Sequence, residues 1–161
     1  MHTSADRQPD AFELKRTLLE DIYRRKGQRL THQRLEILRE ISTATDHPSA
    51  ETVFDRVRAR VPPLSLDTVY RSLAAFERLG LVERVPADTG QARYDPDTSF
   101  HHHLVCERCG QVADLPSAGL DLAEVLERAA VWGTVRDVRL ILRGTCASCR
   151  AAAKPDMENN T

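Results

Sequence analysis

Four cysteines stand as two Cys-x-x-Cys pairs, Cys106/Cys109 and Cys146/Cys149, in the second half of a chain of 161 residues. A two-residue spacer makes a tight turn that aims both sulfurs of a pair inward, and two such pairs surround one zinc ion tetrahedrally. With all four positions filled by protein sulfur the ion would be closed to substrate and purely structural. A redox dithiol or ordinary buried cysteines are the alternatives.

A second set offers nitrogen and oxygen. His101, His102 and His103 precede the first cysteine pair, with Asp95 upstream and Asp114 downstream. In an extended segment His101 and His103 project to one side and His102 to the other. Two imidazoles with carboxylates suit a divalent ion such as Fe²⁺ or Mn²⁺. His47, isolated before Pro48, could complete the set and make the ion a clamp between two domains. A solvated histidine cluster and a helix-flanking histidine form the competing interpretation.

The elements that must position these groups follow from apolar spacing. Phe12 to Lys26 has a helical pattern (Phe12, Leu18, Leu19, Ile22) stopped at Gly27. Thr31 caps a second helix carrying Leu35, Ile37, Leu38 and Ile41, and Ser49 a third carrying Val53, Val57 and Val61, ended by Pro62-Pro63. Ser65 begins a fourth, with Leu66, Val69, Leu73, Phe76 and Leu79 at three- and four-residue steps and Gly80 at its close. Strand-like runs Leu81–Val85 and Gln91–Tyr94 flank the turn Ala87-Asp88-Thr89-Gly90. Helices followed by a hairpin give the winged helix-turn-helix order, with a hinge expected at Pro96. Beyond it, Leu104-Val105 and Gln111–Leu115 read as strands, Leu120–Ala130 as a helix with Leu122, Val125, Leu126 and Ala129 apolar, and Val135–Leu142 as a strand. The expected fold is α+β: residues 1–11 disordered, 12–95 a winged-helix DNA-binding domain, 96–150 a small α/β metal-binding domain, 151–161 a disordered tail. An exposed strand edge in the second domain suits pairing of two subunits.

On the fourth helix Thr68, Arg71, Ser72 and Ala75 are expected away from the apolar stripe, with Tyr70 at its edge. Short polar groups admit a helix to the major groove, where Arg71 can donate to a guanine or a phosphate and Tyr70 can touch a thymine methyl. Ser65, Thr68, Tyr70 and Arg71 are the candidate DNA contacts; an ordinary amphipathic helix with a solvated face is the alternative. Charge permits this without favouring it: residues 1–85 hold 15 Lys/Arg against 13 Asp/Glu (net +2) and residues 86–161 hold 8 against 11 (net −3). Hydrophobic content of 41% and charged content of 29% are those of a soluble globular protein. No apolar run approaches a membrane span and Met1–Asp10 lacks a signal-peptide core, so a cytoplasmic protein is expected.

Taken together, Arg29-Leu30-Thr31-His32-Gln33-Arg34, His47-Pro48-Ser49-Ala50, Asp67-Thr68-Val69-Tyr70-Arg71 and His101-His102-His103-Leu104-Val105-Cys106-Glu107-Arg108-Cys109-Gly110 resemble the ferric uptake regulator (Fur) superfamily of bacterial repressors, from about Phe12 to Cys149. The resemblance implies a homodimer that, when metallated, spans a palindromic AT-rich operator. It implies a sensing site of His47, Asp95, His101, His103 and Asp114 and a structural zinc on Cys106, Cys109, Cys146 and Cys149. Iron-sensing members usually carry glutamates where Asp95 and Asp114 stand, whereas the peroxide-sensing PerR branch carries aspartates. The zinc-sensing branch needs a further cysteine, and none remains once the zinc staple is filled. Many iron-sensing members also have a histidine on the strand before the last cysteine pair; Val135–Thr145 has none. The resemblance therefore points to a PerR-like repressor releasing DNA when Fe²⁺ and peroxide oxidise His47 or His101, with an iron- or manganese-responsive repressor of uptake genes as the alternative. A metallohydrolase would need an open coordination site and a general base, and no His-Glu-x-x-His or nucleophile motif is present. A zinc-ribbon adaptor would leave the polar face of Ser65–Leu79 and the His/Asp set without a role.

Overall fold

The computed structural model describes residues 10–87, 90–118, 120–136 and 138–152. It divides into two compact units, Met1–Pro86 with Gln91–Thr98 and Ala87–Gly90 with Ser99–Thr161. The main division falls after Thr98, just beyond the expected hinge at Pro96. Asp88 and Thr89 of the expected turn, residues 1–9 and residues 153–161 lie outside the described residues.

Four helices build the first unit: α1 (Ala11–Arg25), α2 (His32–Ser42), α3 (Ala50–Arg58) and α4 (Leu66–Arg78). Asp10, Thr31, Ser49 and Ser65 cap them, each side chain accepting a backbone N–H of the first turn. The expected stripes converge on one core in which Leu19, Ile37, Leu38, Ile41, Val53, Val57, Val69, Leu73 and Phe76 are wholly buried. Full burial of each contributes roughly 1.5–3 kcal/mol. Leu18 corrects the reading of α1: it is 48% exposed, and Tyr23 takes the inward position, one helical turn beyond Leu19. Gly80, at φ +68°, turns the chain out of α4 into strands β1 (Glu83–Val85) and β2 (Arg93–Asp95), an antiparallel pair with Arg84 opposite Tyr94.

The second unit is a three-stranded sheet of order β4-β3-β5, with β3 (His102–Cys106) central, β4 (Val112–Leu115) antiparallel to it and β5 (Ile141–Gly144) parallel. Helices α5 (Ala123–Ala130) and α6 (Ala147–Ala152) complete it. The last strand begins later than the alternation of Val135–Leu142 suggested. Only from Ile141, which pairs with His103, does β3 offer a partner, and alternation without a neighbouring strand makes no ladder. Helix α6 was not expected, and it takes in Ala151 and Ala152 of the supposed tail. Buried apolar side chains are few here: Val105, Cys106 and Val112 among the described residues. Helix α5 has none, and Val125, Leu126, Val131 and Trp132 are exposed. Among the described residues no helix is long and apolar enough to cross a membrane.

Candidate functional site

The four sulfurs lie together in the second unit, within 4.8 Å of one another. Cys106 ends β3, and a tight return follows: Gly110 N–H donates to Cys106 O (2.8 Å) and Cys106 N–H to Gln111 O (2.9 Å), with Gly110 at φ +70°. A side chain at that φ would be strained. Cys146 follows β5, and Arg150 N–H donates to its carbonyl (2.9 Å) as α6 starts. Cys109 Sγ and Cys146 Sγ stand 3.8 Å apart, matching the roughly 3.8 Å edge of a tetrahedron with zinc–sulfur bonds near 2.3 Å. The Cys146 backbone N–H donates to Cys106 Sγ (3.4 Å). That bond, followed by those of neighbouring amides, lowers the Cys106 thiol to about 6. Hydrogen bonding with Cys109 and then Cys146 pushes Cys149 up to about 12. The Cys106 thiolate thus forms readily and that of Cys149 needs a cation beside it, the behaviour of a zinc-holding set. The site fits structural zinc.

Strand β3 alternates as expected. His101 and His103 share one side, their Nε2 atoms 3.0 Å apart, and His101 Nδ1 is 3.0 Å from Ser99 O. A backbone carbonyl accepts only, so that contact places the His101 proton on Nδ1 and leaves Nε2 with a lone pair. Two nitrogens about 2.1 Å from one ion and at right angles sit about 3.0 Å apart. Asp114, opposite His103 on β4, brings Oδ1 to 3.5 Å from His101 Nε2 and 4.0 Å from His103 Nε2. Both imidazoles are buried and Asp114 is half exposed. This donor set fits Fe²⁺ or Mn²⁺. His102 points the other way: its Nδ1 accepts the Leu140 N–H (3.3 Å) and its ring meets Phe100 edge-on.

The first unit builds its own donor pair. Tyr94 N–H donates to Pro48 O (3.0 Å) and Ser49 bridges Arg93 in antiparallel fashion. This short ladder sets His47 opposite Asp95, with His47 Nε2 3.6 Å from Asp95 Oδ2 and both residues buried. His47 adopts φ +46°, a left-handed conformation costing of the order of 1–2 kcal/mol outside glycine. Lys15 of α1, not singled out in the sequence, donates to Pro96 O. Burial lowers its ammonium below the usual range, while Asp95 and Asp97 act in the opposite sense. A lone lysine among arginines was too weak a signal to find it.

The candidate DNA contacts lie along α4. Ser65 Oγ caps the helix by accepting the Thr68 N–H (3.2 Å), and the two hydroxyls are 2.8 Å apart. Arg71, exposed, pairs with Asp67 one turn earlier; such exposed pairs are weak and readily exchanged. Tyr70 is 44% exposed and donates to Glu51 of α3, a partner the sequence did not reveal. Ser72 is a correction: it is wholly buried, donates to Thr68 O (2.7 Å) and faces Arg34 Nε at 3.5 Å. A hydroxyl that satisfies itself on the preceding turn needs no water.

The sequence profile of the ferric uptake regulator family matches residues 25–136. The chain belongs to the ferric uptake regulator family. It is 34% identical over 139 residues to the peroxide operon regulator of Bacillus subtilis, covering 86% of this chain and 94% of that protein. Its identity to the peroxide-responsive repressor PerR of Staphylococcus epidermidis is 30% over 127 residues, covering 79% and 85%. Among solved structures, the Francisella tularensis ferric uptake regulator with iron superposes at a TM-score of 0.67 with 28% identity, covering 77% of this chain and 96% of that one. This Fur-family regulator is similar to peroxide-responsive repressors, and it carries aspartates at 95 and 114.

Proposed function

We propose that this chain is a cytoplasmic, peroxide-responsive repressor that binds operator DNA as a metal-loaded homodimer. The observation that carries it is the convergence of His101 Nε2 and His103 Nε2 at 3.0 Å beside Asp114, in a chain whose relatives are peroxide regulators. The second unit offers two imidazoles and a carboxylate, and the first offers His47 and Asp95. Neither set alone completes the coordination of a divalent ion, and together they supply five nitrogen and oxygen donors. His47, Asp95, His101, His103 and Asp114 hold the regulatory ion; Cys106, Cys109, Cys146 and Cys149 hold zinc.

Each residue set then has a role. His47 and Asp95, fixed on one short ladder, tie the DNA-binding unit to the ligands of the dimerisation unit. Ser65 and Thr68 hold the start of α4 toward the phosphate backbone, and Tyr70 and Arg71 reach base edges of an AT-rich palindrome. Exposed Leu126, Trp132 and Leu142 supply apolar surface for pairing two chains. When bound, Fe²⁺ would mediate cleavage of hydrogen peroxide, with one peroxide oxygen added to a neighbouring imidazole carbon, the other leaving as water, and the two electrons lost by the imidazole balancing the peroxide's reduction. His47 or His101, once it carries an added oxygen, is a poorer nitrogen donor, so the two units separate and the paired α4 helices lose operator spacing.

The experiment is to load the full chain with Fe²⁺ or Mn²⁺, add peroxide, and follow operator binding together with peptide mass spectrometry. One added oxygen on His47 or His101, with loss of DNA, is expected for iron and neither change for manganese. Unmodified histidines with operator binding retained would reject peroxide sensing and leave the iron- or manganese-responsive reading.

A further inference from the structure

Within the first unit, Tyr70 projects from the exposed side of α4 and its hydroxyl donates to Glu51 Oε1. Glu51 sits in the first turn of α3, two residues after the cap Ser49. We infer that Glu51 is a positioning residue for DNA reading: its carboxylate holds the Tyr70 hydroxyl and so aims the ring at a thymine methyl in the major groove. This inference rests on the DNA-reading role proposed for Tyr70.

Glu51 is itself held from two directions. Ser49 bridges Arg93 of β2 through the backbone, which pins the start of α3 to the hairpin. Glu51 Oε2 and Arg93 Nε are buried without a hydrogen bond among the described residues, and Arg93 reaches the Glu51 carboxylate only through its charge. The Tyr70 hydroxyl first, and more distantly Arg93, keep Glu51 below its ordinary range and therefore ionised as an acceptor. A tyrosine turns about two side-chain bonds, and fixing the hydroxyl fixes both. An untethered ring must be ordered on binding, which lowers affinity about two- to twelvefold. The charge alone acts in the opposite direction. A carboxylate near a phosphate backbone opposes association, so a Glu51 without a positioning role would bind DNA less well than its neutral replacement.

The probe is a duplex enriched from a randomised pool by the Mn²⁺-loaded full chain, with its thymines replaced one at a time by uracil, which deletes only the methyl. The wild type should lose affinity about fourfold at the position under Tyr70, the value of one buried methyl group, and Tyr70→Ala should abolish that preference. Glu51→Ala and Tyr70→Phe should each bring the thymine preference below about twofold, and Glu51→Ala should weaken binding about two- to twelvefold. Glu51→Gln keeps an acceptor and should restore both readouts. The double variant Glu51→Ala/Tyr70→Phe should be no worse than either single one, since both remove the same bond. Thermal melting of each variant identifies loss through unfolding, and Tyr70→Phe, which removes the same bond, carries the test if the Ala variant does not fold: a full thymine preference in it would overturn the inference equally. A Glu51→Ala protein that keeps the full thymine preference, or binds every duplex more tightly, would overturn the inference. Enrichment of no duplex at all would instead remove the DNA-reading role itself.

Discussion

Stripping the zinc, by chelation or by Cys146→Ser, should unfold the second unit and leave the first intact. Apart from Cys106, the buried apolar side chains described in that unit are Val105 and Val112, worth about 3–6 kcal/mol together. A structural zinc on such ligands contributes about 10–16 kcal/mol, so its loss exceeds what the apolar contacts can replace. The first unit has a core running through all four helices, from Leu19 to Phe76, and no sulfur ligand. The assay is hydrogen exchange read by mass spectrometry on protein with and without zinc. Amides of β3, β4 and β5 should exchange as in an unfolded chain after stripping, whereas those of α2 and α4 keep their protection. Because α1–α4 supply most of the helix and α5 and α6 the remainder, far-ultraviolet circular dichroism should keep the larger part of its helical signal. Persistent protection of Val105 and Leu142 amides in zinc-free protein would refute the reasoning, since the sheet would then stand on its own packing.

Other outcomes follow from single contacts. Phe76→Ala, at a wholly buried site, should destabilise the first unit by about 3–5 kcal/mol in urea unfolding. Ser65→Ala removes the α4 cap and should cost about 1 kcal/mol by the same measurement. Tyr70→Phe removes the largest influence lowering the Glu51 carboxyl, which should titrate closer to 4.5 by NMR. Since the folded-state value is depressed, the bond's stabilisation is present above the unfolded value and disappears as pH falls through the folded one. The stability gap between wild type and Tyr70→Phe should therefore shrink on acidification below about 4.5. His101→Ala and His103→Ala should each weaken Mn²⁺ binding at least about 100-fold in calorimetry, since loss of a supporting partner alone costs 10–100-fold.

Much of this architecture is legible in the chain because local rules and tertiary packing agree. Val69, Leu73 and Phe76 recur at helical steps and all are buried, and the cysteine spacers alone announce a four-sulfur site that the folded unit assembles. Periodicity is less informative about what a face meets. Helix α5 shows its apolar stripe as expected, yet no residue of it is buried within one chain. Ser72 was misplaced because a small hydroxyl can face water or bond back to its own helix, and only the approach of Arg34 to α4 decides. The Tyr70–Glu51 bond joins residues 19 apart on different helices, a relation no local pattern encodes. Of the proposed regulatory donors, the facing of His101 and His103 follows from strand pleat, while the pairing of His47 with Asp95 depends on a single isolated bridge, Ser49 to Arg93, too short to leave a periodic trace.

The backbone at position 47 also restricts how this repressor can diverge. At φ +46°, asparagine and aspartate are tolerated almost as well as histidine, whereas valine, isoleucine and threonine clash with their own main chain. Under the coordination proposed above, single-step drift there is steered from a nitrogen donor toward an oxygen donor, retuning the preference toward harder ions, while branched replacements are disfavoured by folding alone.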